Sequence, residues 1–174
     1  ILLFNRAVFA ENDCACHPLV NSHRPQYIIA YGSLIETASK NATDRHSVEN
    51  KPVWIAHYQR GWFSKGLSDG FSTTYLGVIK SKTAHFNGTI FNLRSPKSIK
   101  HYDAREKYYC RVLVAPSNIH LLTGKKLPQG QFWIYELKPE LLAPPSTRYP
   151  IVESYVDIFL AGCLEIEEKF HLRN

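Results

Sequence analysis

No stretch of this 174-residue sequence approaches the roughly 20 consecutive apolar residues that a membrane-spanning helix requires. Clustered basic residues are missing as well. The 21 lysines and arginines outnumber the 15 aspartates and glutamates, but they are scattered among aromatic and apolar residues. We therefore expect neither a membrane nor a nucleic acid as partner. The net charge of +6 suits acidic small molecules better than cationic ones.

The sequence also lacks the spacing of a metal site or of a disulfide framework. Its eight histidines are dispersed, with no pair spaced for one helix face. Cys14 and Cys16 are close, whereas Cys110 and Cys163 are distant from them and from each other. The segment 14–17 (CACH) groups two thiols and an imidazole, but zinc signatures space their cysteines wider and need a second ligand pair. We expect no metal here, and interpret the segment as an ordinary loop or a redox pair.

Composition and pattern indicate one domain. The chain is 44% hydrophobic, without internal repeats or low-complexity segments. Residues 1–25 mix Asn, Asp, His and Pro without a period and predict an irregular N-terminal arm, followed by a domain over 26–174. We expect a cytoplasmic protein. Export is the alternative if residues 1–10 are the remnant of a signal peptide, and a longer segment upstream of Ile1 explains the first residue equally well.

Aromatic and β-branched runs predict a sheet that spans most of the chain. Ser95 and Pro96 supply an N-cap and a first helical position, which predicts a short helix to about Arg105. Apolar residues at three- and four-residue steps over 152–170 predict a longer amphipathic helix that packs on the sheet. The predicted strands lie at 27–30, 52–58, 74–79, 86–93, 108–114 and 131–137.

The first predicted strand ends in a turn made of Tyr31, Gly32, Ser33 and Leu34, which we call the YGSL turn. A tight turn of this kind presents consecutive backbone N–H groups and a serine hydroxyl, so that it can bind an anion. Taken alone, the pattern is also that of an ordinary structural turn, because glycine-serine turns close many strands.

Glu106 is the candidate acid/base. It ends the predicted helix and is followed at once by an aromatic strand, so that its carboxylate borders the core. Partial burial raises a carboxyl pKa toward neutrality and lets the group accept and return a proton. The alternative is an ordinary ion pair with Arg105 or Lys107, as most glutamates are solvated or paired.

Three segments resemble the γ-glutamyl cyclotransferase-like superfamily in order and spacing: the YGSL turn, 86–91 (FNGTIF) and 102–109 (YDAREKYY). The likeness covers roughly residues 26–170. It implies an α+β fold, a small mixed and mainly antiparallel β-barrel flanked by helices. It also implies a cofactor-independent cyclisation in which the α-amine of a γ-glutamyl compound attacks its own γ-carbonyl and releases 5-oxoproline and an amine or amino acid.

Carried onto this chain, the resemblance assigns γ-glutamyl binding to the YGSL turn and general acid/base catalysis to Glu106. Tyr109 and Tyr135 are candidate walls of the substrate pocket, although aromatic strand residues are more often core. Leu34 stands where some mammalian-type members have asparagine, and Lys107 stands where they have glycine. The preferred leaving group of the substrate therefore stays open. The oligomeric state is open as well. The segment 58–63 (YQRGWF) is similar to a segment of bacterial and glutathione-specific relatives, and its meaning also stays open.

Two alternatives follow from the same residues. Ser33 in a strand-to-helix turn suggests the nucleophile elbow of hydrolases, but the second glycine of that motif is missing. A non-catalytic binder of acidic metabolites, or an interaction module, could use the same fold. Glu106 argues against such a binder, because a desolvated carboxylate costs free energy that binding alone does not require.

Overall fold

A computed structural model of the protein describes residues 16–45, 47–66 and 72–172. Cys14 and residues 1–10 therefore lie outside the described residues. Within these ranges, three helices and six strands follow one another, with short 3-10 turns between them. In chain order they are β1 (Gln26–Ala30), α1 (Thr37–Thr43), β2 (Lys51–Lys65), β3 (Thr74–Asn92), α2 (Ile99–Arg105), β4 (Tyr109–Val114), β5 (Ile119–Leu121), β6 (Gln131–Leu137) and α3 (Glu153–Phe170).

The strands form one curled sheet, a half-barrel in the order β4-β6-β1-β3-β2-β5, with the three helices around it. Of its neighbouring pairs, only β1 with β6 is parallel. The expected α+β fold with a mixed, mainly antiparallel sheet is thus confirmed. None of the helices that the structure describes is long and apolar enough to cross a bilayer.

Strand β1 is central because both of its faces are buried. Ile29 packs into the core cluster of β2, β3 and β6 residues such as Ile55 and Ile134. Its neighbour Ile28 points to the opposite face and packs with Phe91 and Trp133. A strand covered on both faces reads as a continuous apolar run, which explains the pattern at 27–30. The YGSL turn thus follows a strand that is packed on both faces.

The strands of the long β2–β3 hairpin differ from the predicted strand bounds. The runs at 74–79 and 86–93 belong to one strand, because β3 pairs with β2 up to Lys80 and again from His85. Between these pairs the register shifts, and the mostly polar residues 81–84 of β3 lie opposite His57 alone. His57 has a φ of 65° at this bulge. Strand β5, only three residues long, was not predicted.

A disulfide joins Cys16 to Cys110. The expectation of no disulfide framework is therefore wrong for this pair, which lies 94 positions apart and has no spacing that sequence inspection could read. Arg111 strengthens the attachment, donating its backbone N–H to the Cys16 carbonyl at 2.7 Å and its side chain to the Pro18 carbonyl at 2.8 Å. The described end of the N-terminal arm is thus fixed along β4.

Helix α3 crosses the chain just after the YGSL turn at Gly162. A Cβ there would lie 2.8 Å from the backbone carbon of Ile35 and 2.9 Å from the Cα of Glu36. Gly162→Ala should therefore lower the melting temperature by an amount that corresponds to about 1–3 kcal/mol, the usual cost of overpacking. Thermal unfolding checks this, with the exposed Leu164→Ala on the same helix as control. Helix propensity alone would make the alanine variant melt at a higher temperature. A higher melting temperature would therefore contradict the close packing at Gly162.

Candidate active site

A cavity of about 280 Å³ opens at the carboxyl end of β1. Every candidate site residue named from the sequence lines it, from both the YGSL turn and the strands beyond. It also contains residues from β2, β3 and α3 that the sequence did not single out. The residues that line the cavity include Tyr31, Gly32, Ser33, Leu34, Ser64, Lys65, Tyr75, Arg105, Glu106, Tyr108, Tyr109, Tyr135 and Tyr155.

The turn itself is held by its own backbone and by the neighbouring strand. A single turn of 3-10 helix covers Ser33–Ile35, closed by the Ile35 N–H, which donates to the Gly32 carbonyl at 3.0 Å. The hydroxyl of Tyr31 donates to the backbone carbonyl of Tyr135 at 2.7 Å. Because both groups are buried, this hydrogen bond fixes the start of the turn against β6.

Gly32 is required by a close approach. A Cβ at this position would lie 2.8 Å from the hydroxyl oxygen of Tyr155 and 3.7 Å from the Cβ of Leu76. The turn therefore keeps its present distance to Tyr155 of α3 only without a side chain at this position.

Arg105, the last residue of α2, joins the turn to α1. One of its terminal nitrogens donates to the hydroxyls of Ser33 and Ser39, each at 2.9 Å. The other donates to the Ser39 carbonyl at 2.7 Å and the Thr43 hydroxyl at 2.6 Å. The sequence suggested Arg105 only as a partner of Glu106, because contacts between residues over 60 positions apart leave no local pattern.

Glu106 caps the C-terminus of α2, where its N–H donates to the Tyr102 carbonyl at 2.8 Å. Its side chain is 17% exposed, and its Oε1 lies 3.3 Å from the Nε of Arg105. Burial raises the pKa of this carboxyl to about 7, against the smaller lowering effect of Arg105. The ion pair considered from the sequence therefore exists, but desolvation outweighs it.

Tyr109 and Tyr135 line the cavity as neutral hydroxyls at ordinary pH. Burial is the main cause that raises the pKa values of Tyr109 and Tyr135 well above their usual range, and the nearby Glu106 carboxyl adds to it. The Tyr109 hydroxyl is hydrogen-bonded to that of Ser64 at 2.7 Å, and the Tyr135 hydroxyl donates to Asp103 at 2.7 Å. Both residues line the cavity, and Tyr135 at the same time belongs to a buried core cluster.

Tyr155 of α3 is one of the lining residues that the sequence did not single out. Hydrogen bonds connect its hydroxyl with Ser33 and with the backbone of Leu76, while burial raises its pKa to about 12. Its ring packs edge-on against Tyr75, with centroids 4.9 Å apart. In the sequence, Tyr155 is one position of an apolar helical stripe, and nothing in that stripe distinguishes a residue that reaches a site from one that only packs.

The segment 58–63 contributes Arg60, which supports the turn from outside the cavity. Its guanidinium donates to the Asn87 carbonyl at 2.8 Å and, at the longer distance of 3.5 Å, to the carbonyl of Tyr31. It lies between the rings of Phe86 and Phe159, 5.6 and 5.2 Å from their centroids. Arg60 is thus a structural support for the YGSL turn.

Within the described ranges, no group of three His, Cys, Asp or Glu side chains is placed to hold a metal ion. Comparison with protein-family models gives no match, and no curated protein matches the sequence.

Solved structures, in contrast, resemble this chain over most of its length. An uncharacterized human protein is 16% identical with a TM-score of 0.63, covering 87% of this chain and 89% of its own. A structure named γ-glutamyl cyclotransferase is 15% identical with a TM-score of 0.62, covering 86% of this chain and 88% of its own. A yeast γ-glutamyl cyclotransferase specific to glutathione is 12% identical with a TM-score of 0.59, covering 82% and 88%. The chain therefore has the γ-glutamyl cyclotransferase-like fold that its motifs implied.

Proposed function

We propose that this protein is a γ-glutamyl cyclotransferase, which releases 5-oxoproline and an amine or amino acid from a γ-glutamyl compound. One observation carries the proposal: a desolvated carboxyl group with a pKa of about 7, on Glu106, lines the same small cavity as the YGSL turn. A turn that can bind an anion and a base that is half-ionised near neutral pH are what this cyclisation needs.

In this proposal the YGSL turn holds the γ-glutamyl half of the substrate. The Tyr155 hydroxyl and the YGSL turn line the cavity together, so an anionic oxygen bound there could accept from that hydroxyl and from backbone N–H groups of the turn. The oxygen is either that of the substrate carboxylate or the developing oxyanion at the γ-carbonyl. Holding the α-amine beside that carbonyl makes ring closure a positioned intramolecular step.

Glu106 then moves one proton. Its carboxylate accepts a proton from the substrate α-ammonium, and the neutral amine attacks the γ-carbonyl carbon to form the C–N bond of the ring. The attacking nitrogen, now cationic with two hydrogens, gives up one of them to solvent. When the tetrahedral intermediate collapses, the bond to the leaving nitrogen breaks and Glu106 returns its own proton to that nitrogen. The group ends as the carboxylate that began the cycle, and no cofactor takes part.

The acid limb of the pH profile should report this carboxyl group. Because Glu106 has to be ionised to act as the base, kcat/KM should rise with pH through about 7 and then level off. Initial rates of 5-oxoproline formation between pH 5 and pH 9 measure the profile. An acid limb near the usual glutamate pKa would show that the group is not desolvated in the working enzyme.

The activity itself is tested by offering γ-glutamyl dipeptides, γ-glutamyl amines and glutathione to the purified protein and detecting 5-oxoproline by mass spectrometry. Formation of 5-oxoproline from at least one of them is the expected result. Calorimetry that shows tight binding of γ-glutamyl compounds without any turnover would instead support the non-catalytic binder.

A further inference from the structure

The position of Lys65 bears on which γ-glutamyl compounds fit the cavity. Lys65 is the last residue of β2 and lines the cavity together with Tyr75 and Tyr108. Lys65 pairs with Thr74 of β3. Leu76 follows two residues farther along β3 and contacts the YGSL turn at Gly32. Two residues of strand span about 7 Å, so Lys65 lies that far along the hairpin from the end of the cavity where the turn binds its ligand.

The two basic side chains of the cavity differ in their partners. Arg105 is fully engaged by Ser33, Ser39, Thr43 and Glu106. Lys65, in contrast, forms no ion pair with any carboxylate among the described residues, and its ammonium lies 5.7 Å from the ring centroid of Tyr149. Lys65 is therefore the basic residue of the lining whose ammonium no described carboxylate neutralises.

A γ-glutamyl amino acid has its second carboxylate at a matching distance. Six bonds separate the α-carbon of the γ-glutamyl half from the carboxyl carbon of the leaving amino acid. This is the backbone length of two residues, roughly 7 Å when extended. With the γ-glutamyl half on the turn, the leaving carboxylate therefore reaches the Lys65 end of the cavity. A γ-glutamyl amine has no group to place there.

We propose that Lys65 determines specificity by binding the carboxylate of the leaving half, so that γ-glutamyl amino acids and peptides are preferred over γ-glutamyl amines. The inference rests on the proposed function and deepens it. A charge-assisted hydrogen bond that forms equally in the ground state and the transition state changes KM rather than kcat. Lys65 is thus a substrate-binding residue in this proposal and takes no part in the proton transfer of Glu106.

The test compares γ-glutamyl-alanine with γ-glutamyl-ethylamide, whose leaving amine is of similar size and has no carboxylate. Lys65→Met keeps the length of the side chain and removes its charge. It should raise KM for γ-glutamyl-alanine about 10-fold with kcat nearly unchanged, and leave both constants for the ethylamide as they are. Lys65→Arg should retain the preference, and Lys65→Glu should reverse it toward a cationic leaving group such as that of γ-glutamyl-putrescine.

Lys51→Met is the matched control, since Lys51 is exposed at the other end of β2, and it should alter neither substrate. If Lys65→Met changes the kinetic constants equally for both substrates, or for neither, Lys65 does not bind the leaving carboxylate. The proposed function would still stand in that case. If the unaltered protein forms no 5-oxoproline from any compound, the proposed function fails and this inference fails with it.

Discussion

Glu106→Gln should reduce the rate of 5-oxoproline formation about 10²–10⁴-fold, the usual contribution of a positioned acid/base group. Glutamine keeps the shape of the side chain and one acceptor oxygen near Arg105, but it can neither take the proton of the α-ammonium nor return it to the leaving nitrogen. The loss should appear in kcat, because the YGSL turn, which holds the γ-glutamyl half, is untouched.

The same variant has a stability signature that a merely damaged protein would not show. The pKa of Glu106 is raised by folding, so the native state binds an extra proton between the unfolded value near 4.5 and the folded value of about 7. Ionisation of Glu106 therefore destabilises the fold as pH rises through this window. We expect Glu106→Gln to be more stable than the unaltered protein above pH 7, with the difference vanishing below about pH 4.5.

Steady-state rates and thermal unfolding at pH 4.5 and pH 8 measure both effects. Glu140→Gln serves as control, since Glu140 is exposed beyond β6 and should change neither quantity. An active Glu106→Gln enzyme, with more than a tenth of the normal rate, would refute the assignment of Glu106.

Removing the disulfide should be the largest change in stability that involves no core residue. Cys16→Ser with Cys110→Ser frees a loop of about 94 residues in the unfolded chain, and losing a disulfide typically costs about 2–4 kcal/mol. At about 2–4 °C per kcal/mol for a chain of this size, the melting temperature should fall by roughly 5–15 °C. The backbone hydrogen bond from Arg111 to Cys16 should weaken as well, since the arm is no longer tied to β4.

Thermal unfolding with and without dithiothreitol checks this prediction. The unaltered protein should lose as much stability on reduction as the double variant, and the double variant should not respond to the reductant. Cys163→Ser, which removes the free thiol of α3, should behave like the unaltered protein. Equal melting temperatures in both conditions, or peptide mapping that links Cys110 to a different cysteine, would contradict the disulfide.

The disulfide also bears on where the protein works. Disulfides persist in oxidising compartments and are rare where thiols are kept reduced. We therefore propose the exported alternative rather than the cytoplasmic one. Protein isolated from its own cells with thiols blocked at lysis should contain the bond between Cys16 and Cys110, and fully reduced cysteines in such a sample would refute the proposal.

The parts of this fold that the sequence predicted are those whose cause is local. A strand buried on both faces gives the apolar run at 27–30, an N-cap followed by proline gives the start of the helix at Pro96, and a one-sided apolar stripe gives α3. The YGSL turn and Glu106 were identified for a different reason. Each sits at the end of such a local element, and their joint order along the chain resembles a known superfamily.

The remaining parts depend on contacts that no local pattern encodes. Tyr155 reaches the cavity only because α3 crosses the turn at Gly162. Arg105 joins Ser33 and Thr43 across more than 60 positions, and Cys16 meets Cys110 across 94. The middle of β3 was missed because its residues are mostly polar and form a bulge, while the pairing with β2 on both sides continues the strand.

A crystal structure of the Glu106→Gln variant with γ-glutamyl-alanine bound tests the central claim most directly, because the substrate should remain uncleaved. The γ-glutamyl half should lie on the YGSL turn, with the α-amine within about 3.2 Å of the side chain at position 106. A ligand on another surface, or an amine beyond hydrogen-bond reach of that side chain with no bridging water, would refute the role of Glu106.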